Sequence, residues 1–375
     1  MMNKILASTL ACFIVINLCC SSLYAVNSAR VDPMYWIIWE HGFREGQGEV
    51  LVNGKFGFIN SSGQVTIKPK FNQVFPFSNG FAVVRRGAII NTPKAGSFGQ
   101  LFAGYFMYIN KNDQVLWKGP GFPFSEGFAT VLIGTKWGIL SEALGEEPKF
   151  SVINTRGQMV IPPRRGEIGQ FSEKLATFTD PNNGNAGYID YKGQIVIEPT
   201  YLLANDFSEG LAKVCLRVSE GYGFINKQGE LVIPCRYYLA YSFKEGLAAV
   251  CVEKTKKWGY IDARGEMVIP AKYDSVDDFS EGLATVKKND KWGYIDYAGR
   301  LVIPCKFDDA EGFSEGLAEV QVGGKWGYID KKGDFLIEPK FGLTSPFTEG
   351  FAKVAVGDKL GYIDKQGKYI WEPTR

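Results

Sequence analysis

The sequence predicts an all-β protein made of nine short antiparallel β-meander repeats, each of about 34–36 residues. Two phrases carry this prediction, because variants of Phe-Ser-Glu-Gly and variants of Gly-Tyr-Ile-Asp each occur nine times. Glycine supplies 44 of the 375 residues and would interrupt helices repeatedly, whereas the runs between glycines are rich in Val, Ile, Tyr and Trp. The first phrase begins at Phe43, Phe77, Phe124, Phe171, Phe207, Phe243, Phe279, Phe313 and Phe347.

The repeat that starts at Phe279 shows how one unit is organised. Residues 283–287 are predicted as a first strand, and Asn289-Asp290 then forms a tight hairpin turn of type I′ or II′. Residues 291–296 form a second strand and residues 300–304 a third, with a fourth short strand possible in the linker to the next repeat.

A glycine in the middle of the second strand needs an explanation, because glycine weakens strand packing. We expect Gly293 to leave a shallow hole that an aromatic side chain from a neighbouring segment, such as Phe279 or Phe313, fills. Replacement by valine would then destabilise the fold.

The repeats are expected to form an open, solenoid-like array, with a closed β-propeller as the alternative. Two insertions, near residues 85–104 and 139–151, lengthen the array close to its start. Insertions into repeat arrays usually lie on one face and often carry function.

The N-terminus is predicted to be a secretory signal peptide spanning residues 1–25. Lys4 precedes an apolar run, and Ala25 with Ser21 and Ser22 supplies the small residues of a cleavage site. An uncleaved anchor and lipid attachment at Cys19 or Cys20 are the alternatives. Residues 26–42 are expected to be a lead-in strand and residues 43–375 the repeat domain. The mature chain has no second apolar run of that length, so we expect an exported, periplasmic or extracellular protein without a membrane span.

Four cysteines remain after signal cleavage: Cys215, Cys235, Cys251 and Cys305. Export permits disulfides, and Cys235 with Cys251 is the most reachable pair. Four free thiols remain the favoured interpretation, because cysteines at equivalent positions of bulky repeats should lie too far apart to pair.

The phrase Lys-Trp-Gly-Tyr-Ile-Asp at residues 257–262, 291–296 and 325–330 resembles the WG-containing (KWG) repeat family. The phrase is degenerate at residues 55–57, 186–187, 222–223 and 360–361, but the resemblance spans residues 43–373. It implies repetitive β structure and a binding role, and it brings no shared catalytic residues.

The recurring tryptophans Trp258, Trp292 and Trp326 allow two interpretations. They could stack against sugar rings or other aromatic ligands, or they could be core residues that repeat with the fold. The core interpretation is favoured, because Phe56, Tyr222 and Leu360 occupy the same position.

The sequence gives no indication of a catalytic site, a metal site or a cofactor. Carboxylates recur in every repeat, as turn-forming groups would, whereas an active site is normally one asymmetric constellation. His41 is the single histidine, and neither a nucleophile elbow nor a nucleotide-binding loop is present. The basic pairs Arg85-Arg86 and Arg164-Arg165 are expected to be solvated loop charges, with Arg85 and Arg86 as weak contact candidates.

These observations predict an exported, non-catalytic binding scaffold whose ligand is a protein or a cell-envelope glycan. A carbohydrate-active enzyme using acids near the irregular third repeat, or a lectin, is the alternative. The formal net charge of +2 excludes a strongly basic surface of the kind that binds nucleic acid.

Overall fold

The computed structural model describes residues 42–87, 89–91, 100–102, 105–133 and 149–374. The described residues form 35 strands and one 3-10 turn, Val218–Glu220, so the all-β prediction is confirmed. The predicted signal peptide, nearly all of the lead-in segment, His41 and the central parts of both insertions lie outside the described residues.

The strands follow one another along the chain in nine groups, which we number as repeats 1 to 9 by their Phe-x-Glu-Gly turns. Repeats 1 to 3 contain β1 (Gly48–Val52), β2 (Lys55–Ile59), β3 (Val65–Phe71), β4 (Gln73–Val74), β5 (Phe81–Arg86), β6 (Ile89–Asn91), β7 (Gln100–Phe102), β8 (Tyr105–Asn110), β9 (Val115–Lys118), β10 (Phe128–Ile133), β11 (Lys149–Asn154) and β12 (Met159–Arg164). Repeats 4 to 6 contain β13 (Ile168–Ser172), β14 (Leu175–Thr179), β15 (Ala186–Ile189), β16 (Ile195–Tyr201), β17 (Leu203–Ala204), β18 (Leu211–Cys215), β19 (Tyr222–Asn226), β20 (Leu231–Ala240), β21 (Ala248–Val252), β22 (Trp258–Ile261) and β23 (Met267–Tyr273). Repeats 7 to 9 contain β24 (Ser275–Val276), β25 (Ala284–Lys288), β26 (Lys291–Ile295), β27 (Leu301–Phe307), β28 (Asp309–Ala310), β29 (Ala318–Val322), β30 (Lys325–Ile329), β31 (Phe335–Phe341), β32 (Leu343–Thr344), β33 (Phe351–Val356), β34 (Lys359–Asp364) and β35 (Tyr369–Thr374).

A complete repeat is a four-stranded antiparallel meander, whose strands we call A, B, C and D in chain order. In repeat 7 these are β24, β25, β26 and β27, which pair in that order. Strand A is the short linker strand that the sequence suggested. Strand D runs almost directly into strand A of the next repeat, and in β20 the two form one continuous strand that joins repeats 5 and 6 into a seven-stranded sheet.

Two kinds of two-residue turn close the hairpins, and both use left-handed backbone conformations. The B–C turns at Asn53-Gly54, Asn289-Asp290 and Gly323-Gly324 have positive φ at both central residues, which confirms the predicted hairpin turns. The Phe-Ser-Glu-Gly phrase is the A–B turn, in which Ser280 and Leu283 exchange backbone hydrogen bonds around Glu281 and Gly282.

The glycine of strand C is required by the backbone of strand D, so the expectation of an aromatic filler is wrong. A Cβ atom at Gly293 would lie 2.5 Å from the carbonyl oxygen of Ile303 and 2.7 Å from the nitrogen of Cys305. Strand D is bulged at this point, because the register shifts between the Trp292–Phe307 and Tyr294–Ile303 pairs. Main-chain atoms meet the same missing Cβ at the equivalent positions Gly57, Gly187, Gly223, Gly259, Gly327 and Gly361.

The hydrophobic core lies between successive repeats. Tyr294 of repeat 7 is fully buried against Phe313 of repeat 8, with ring centroids 5.0 Å apart, and its hydroxyl donates a hydrogen bond to the Glu311 carbonyl oxygen at 2.8 Å. The same aromatic contact links repeats 8 and 9 through Tyr328 and Phe347. Neighbouring repeats therefore share one core at each boundary.

The first and last repeats are in contact, so the repeats are arranged as in the closed β-propeller alternative and not as an open array. Tyr362 of repeat 9 packs edge-on against Phe43 of repeat 1, with centroids 5.0 Å apart, and repeats the contact seen within the array. Lys353 forms a fully buried ion pair with Glu49 at 2.6 Å, and the Thr374 hydroxyl donates to the Leu51 carbonyl oxygen. The antiparallel repeat array is thus confirmed, and contact between its first and last repeats closes the described repeats into a propeller-like ring.

Candidate functional site

The three candidate tryptophans lie at one repeat position at the start of strand C, where they contribute to the core. Trp258 and Trp292 are buried, with 8% and 5% of their surfaces exposed, and Trp326 is partly buried. Each pairs across to the aromatic residue that ends strand D, as Trp292 does with Phe307. The tryptophans do not form a continuous exposed stacking platform. Trp258 differs from the other two because it also lines a pocket.

The recurring turn carboxylates form a belt that links all nine repeats. The Glu281 carboxylate accepts a hydrogen bond from the Gly316 backbone nitrogen at 3.0 Å, and Glu315 does the same for Gly350 at 2.9 Å. The belt closes where Glu349 accepts from the Gly46 nitrogen at 2.7 Å. We call these nine contacts the turn belt, and its acceptor side chains are Glu45, Asn79, Glu126, Glu173, Glu209, Glu245, Glu281, Glu315 and Glu349.

Hydrogen bonds lower the pKa of three turn-belt acids, Glu126, Glu173 and Glu245. Burial acts to raise the pKa of Glu245, but hydrogen bonds from the Gly282 nitrogen and the Tyr297 hydroxyl outweigh it and leave the pKa below its usual range. Glu126 is held in the same way by the Lys174 nitrogen and the Tyr191 hydroxyl. Carboxylates already engaged by backbone donors serve the architecture of the ring.

Replacement of Glu315 by glycine is expected to lower the free energy of unfolding by about 1 kcal/mol, because Gly350 loses its charged acceptor while the left-handed backbone stays unstrained. Glu315→Asn is expected to cost less, because Asn79 already accepts from Gly127 in the turn belt. Denaturant unfolding compares the two variants. Equal losses would show that the contact with Gly350 contributes nothing.

The aspartates that end strand C cap the turn to strand D. Asp296 accepts hydrogen bonds from the backbone nitrogens of Ala298 and Arg300 at 3.0 and 2.9 Å, and Asp330 and Asp364 make the same pair of contacts. Their recurrence is therefore explained by turn geometry, as the sequence indicated.

Glu319 is a buried acid, and within the described residues no basic side chain forms an ion pair with it. It lies in strand B of repeat 8 with 2% of its surface exposed, and its Oε2 atom has no hydrogen-bond partner within the described part of the chain. Burial raises the pKa of Glu319 to about 8. A substrate in solution cannot reach this carboxyl group, so its raised pKa does not make it a catalytic acid.

The raised pKa of Glu319 predicts a loss of stability with rising pH. Between about pH 4.5 and pH 8 the Glu319 carboxyl group is protonated in the folded chain and ionised in the unfolded chain, where its pKa has the ordinary value of 4.5. Its contribution is full below about pH 4.5 and falls by roughly 4–5 kcal/mol as the pH rises to about 8. Glu319→Gln is expected to reduce the decline measured by denaturant unfolding between pH 5 and 9, and part of it will remain because burial also raises the pKa of Asp278 to about 7. Glu338→Gln, at an exposed position of the same repeat, is the control; a decline in Glu319→Gln as large as in Glu338→Gln would contradict the assignment.

The predicted loop arginines lie in or beside strands, and the expectation of solvated charges is wrong for Arg85. Its side chain is fully buried in strand B of repeat 2, and its Nε atom donates to Gln73 at 3.3 Å. Arg86 lies over the Phe71 ring, 5.3 Å from its centroid, and Arg164 lies 4.3 Å from the Phe178 centroid. Arg85 therefore packs within repeat 2, and Arg86 packs across the boundary between repeats 1 and 2.

The four cysteines of the repeat domain are free thiols, and the pair Cys235–Cys251 is not formed. Cys215 and Cys251 are buried, while Cys235 and Cys305 are partly buried. Burial raises the pKa of all four thiols, so they remain protonated and weakly nucleophilic near neutral pH.

The two insertions occupy the same place in adjacent repeats. In repeat 2 the insertion follows strand B at Arg86 and ends before strand C at Tyr105; in repeat 3 it follows Ile133 and ends before Lys149. Both therefore connect B to C, at the end of the ring that also carries the Asn289-Asp290 turn. We call this the B–C end of the ring.

A shallow pocket of about 370 Å3 opens between repeats 6 and 7. Its aromatic wall is formed by Tyr241 and Trp258, whose ring centroids are 5.0 Å apart. Asp274, Lys287 and Asp290 provide its charged lining. Apart from Trp258, none of these residues was predicted from the sequence as a candidate binding residue. Tyr241 carried a usable signal, because most other repeats have a small or polar residue two positions before the turn phenylalanine.

The charges around this pocket are paired. Asp274 forms an ion pair with Lys257 and also accepts a hydrogen bond from the Asn289 nitrogen at 3.3 Å, while Lys287 lies 3.8 Å from Asp290. The hydrogen bond from Lys257 is the main cause that lowers the pKa of Asp274. The pocket therefore offers ionised groups of both signs beside an aromatic wall, an arrangement suited to binding an uncharged polar ligand.

The described ranges contain neither a metal-ligand cluster nor a membrane-spanning helix. No group of three or more His, Cys, Asp and Glu side chains within them converges as metal ligands would. No helix in that part of the chain has the length and apolar character needed to cross a membrane.

Comparisons with solved structures give only distant likenesses. Apo AztD from Citrobacter koseri is 14% identical, with 71% of this chain and 90% of that chain covered and a TM-score of 0.39. The CRINKLY WD40 ectodomain of the receptor kinase ACR4 from Arabidopsis thaliana is 10% identical, with 67% and 96% covered and a TM-score of 0.34. A search of curated proteins gives no match to the sequence.

The comparison with family models gives a match that covers more than half of the chain. The family described as "WG containing repeat" matches seven segments: residues 56–88, 150–179, 187–217, 222–255, 258–292, 292–326 and 326–359. These segments contain most of the strand-C glycines and turn-belt acids described above; Gly361, Glu45 and Glu126 lie outside them. The chain therefore belongs to the WG-containing repeat family.

Proposed function

We propose that this chain is an exported, non-catalytic scaffold that binds a protein or a cell-envelope glycan on the surface of its ring. One observation carries this proposal: the groups that recur in every repeat are engaged in holding the ring together. The turn glutamates accept backbone hydrogen bonds, the strand-C tyrosines donate to the next repeat, and the aspartates cap turns. What varies between repeats is the B–C end, with its insertions and its pocket.

A carbohydrate-active enzyme is the second candidate, and the acids of the third repeat were its expected catalytic groups. The acidic segment of that repeat, residues 142–148, lies outside the described residues. Among the described acids near it, Glu126 has its carboxylate held by two backbone nitrogens and the Tyr191 hydroxyl, and Glu167 is partly buried. A pair of catalytic carboxylates needs one member free to exchange a proton with substrate. The engagement of Glu126 supports the scaffold over the enzyme.

The test incubates the chain spanning residues 26–375 with purified envelope polysaccharides and with envelope protein extract, and measures both binding and release of new sugar ends. The scaffold predicts saturable binding without turnover, and unfolded chain serves as the control. Turnover that is lost on replacement of one carboxylate would contradict the proposal.

Export is proposed from residues 1–25 and has its own test. Expression of the full chain in a bacterial host is expected to give a protein that begins at Val26 in the envelope or medium, as measured by fractionation and intact-mass analysis. An intact N-terminus in the cytosolic fraction would contradict it.

A further inference from the structure

We propose that the pocket between repeats 6 and 7 is a binding site for an uncharged sugar ring of a glycan, with Tyr241 and Trp258 as its aromatic wall. This inference rests on the proposed binding function and assigns it a place and a ligand class.

The shape and composition of the pocket support a sugar as ligand. Sugar rings carry an apolar face of C–H groups and a rim of hydroxyls, so they bind where an aromatic surface lies beside polar side chains. Tyr241 and Trp258 supply the aromatic surface, and Asp274 and Asp290 can accept hydrogen bonds from hydroxyls. Lys287 supplies a donor. A volume of about 370 Å3 lies at the lower end of the range for small-ligand sites.

The balance of charge selects an uncharged ligand. Asp274 and Asp290 are matched by Lys257 and Lys287, which lie in ion-pair contact with them. A charged ligand would be attracted by one member of each ion pair at the rim and repelled by the other. It would therefore have to displace an existing partner. A neutral polyhydroxylated ring can donate to the carboxylates and accept from the ammonium group without breaking either pair.

Among repeats 5 to 8, the pocket is a feature of one boundary, although the repeats share one fold. At the position of Tyr241, two residues before the turn phenylalanine, repeats 2 and 3 also carry an aromatic residue, but repeats 5, 7 and 8 carry Asn205, Asp277 and Glu311. At the position of Asp290, repeat 8 carries Gly324. The boundary between repeats 7 and 8 therefore retains Trp292 but lacks both the second aromatic ring and the turn carboxylate.

These differences provide substitutions that the fold already accepts. Tyr241→Asn introduces the residue of repeat 5, and Asp290→Gly introduces the residue of repeat 8 at a turn position with a φ of 61°. Asp290 is fully exposed, so its replacement leaves the core unchanged. Trp292→Phe is the matched control, because Trp292 occupies the same repeat position as Trp258 but does not line the pocket.

The experiment titrates the chain spanning residues 26–375 with soluble neutral oligosaccharides, including oligomers of glucose and of N-acetylglucosamine, by isothermal calorimetry. Galacturonate and chitosan oligomers provide anionic and cationic comparisons, and far-ultraviolet spectra verify that each variant is folded. We expect at least one neutral oligosaccharide to bind, with affinity at least tenfold weaker in Tyr241→Asn and in Asp290→Gly and unchanged in Trp292→Phe.

Three results would overturn the assignment. Neutral sugar binding that both pocket variants retain would place the glycan site elsewhere on the ring and leave the proposed function intact. Saturable binding of an envelope protein with no sugar affinity would overturn the sugar site but again leave the scaffold. Absence of any saturable binding to glycans or envelope proteins would contradict both the site and the proposed function.

Discussion

Lys353→Met is expected to lower the free energy of unfolding by about 3–5 kcal/mol, because it leaves the Glu49 carboxylate buried without its partner. Lys353 and Glu49 are fully buried and 2.6 Å apart, and they join the last repeat to the first. Burial raises the pKa of Glu49 in spite of Lys353, so the variant is expected to lose less stability at acid pH, where Glu49 takes up a proton. Denaturant unfolding at pH 5 and pH 8 measures both effects.

Two controls separate the buried pair from a general effect of charge removal. The double variant Glu49→Leu/Lys353→Met leaves no unpaired charge and is expected to recover most of the loss. Lys256→Met breaks an exposed pair with Glu253 and is expected to change stability by less than about 1 kcal/mol. If Lys353→Met unfolds like Lys256→Met, the ring does not depend on this contact.

Gly293→Ala is expected to cost about 3 kcal/mol, because the new Cβ would lie 2.5 Å from the Ile303 carbonyl oxygen. The neighbouring atoms belong to the backbone of strand D, which cannot rotate away as a side chain could. Gly312→Ala is the matched control, since its Cβ would meet only the Ser280 Cβ at an ordinary 3.4 Å. Thermal or denaturant unfolding of the two variants gives the comparison, and equal stabilities would show that strand D yields easily.

The local structure of each repeat could be predicted from the sequence because it depends on neighbouring residues. The Asn289-Asp290 and Gly323-Gly324 turns follow from residues that tolerate positive φ, and the strands follow from alternation and β-branched residues. The role of Asp296 could be predicted in the same way, since it contacts residues only two and four positions away.

Features that depend on distant residues could not be predicted. The reason for Gly293 is a bulge in the backbone of another strand, which leaves no side-chain signature at Gly293 itself. Ring closure depends on Lys353 and Glu49, which are more than 300 residues apart and occupy a strand-B position that is Thr285 in repeat 7. The candidate pocket likewise arises where Tyr241 of one repeat meets Asp290 of the next.

The central claim is that the nine repeats close into a ring, and a distance between its two ends tests it most directly. Spin labels at Lys55 and Lys359 occupy equivalent exposed positions at the start of strand C in repeats 1 and 9, and Lys291 and Lys325 occupy them in the adjacent repeats 7 and 8. In a cysteine-free background, the closed ring predicts that pulsed electron spin resonance gives the same short distance for both pairs. A distance for the Lys55–Lys359 pair that is several times longer than the Lys291–Lys325 distance would contradict it.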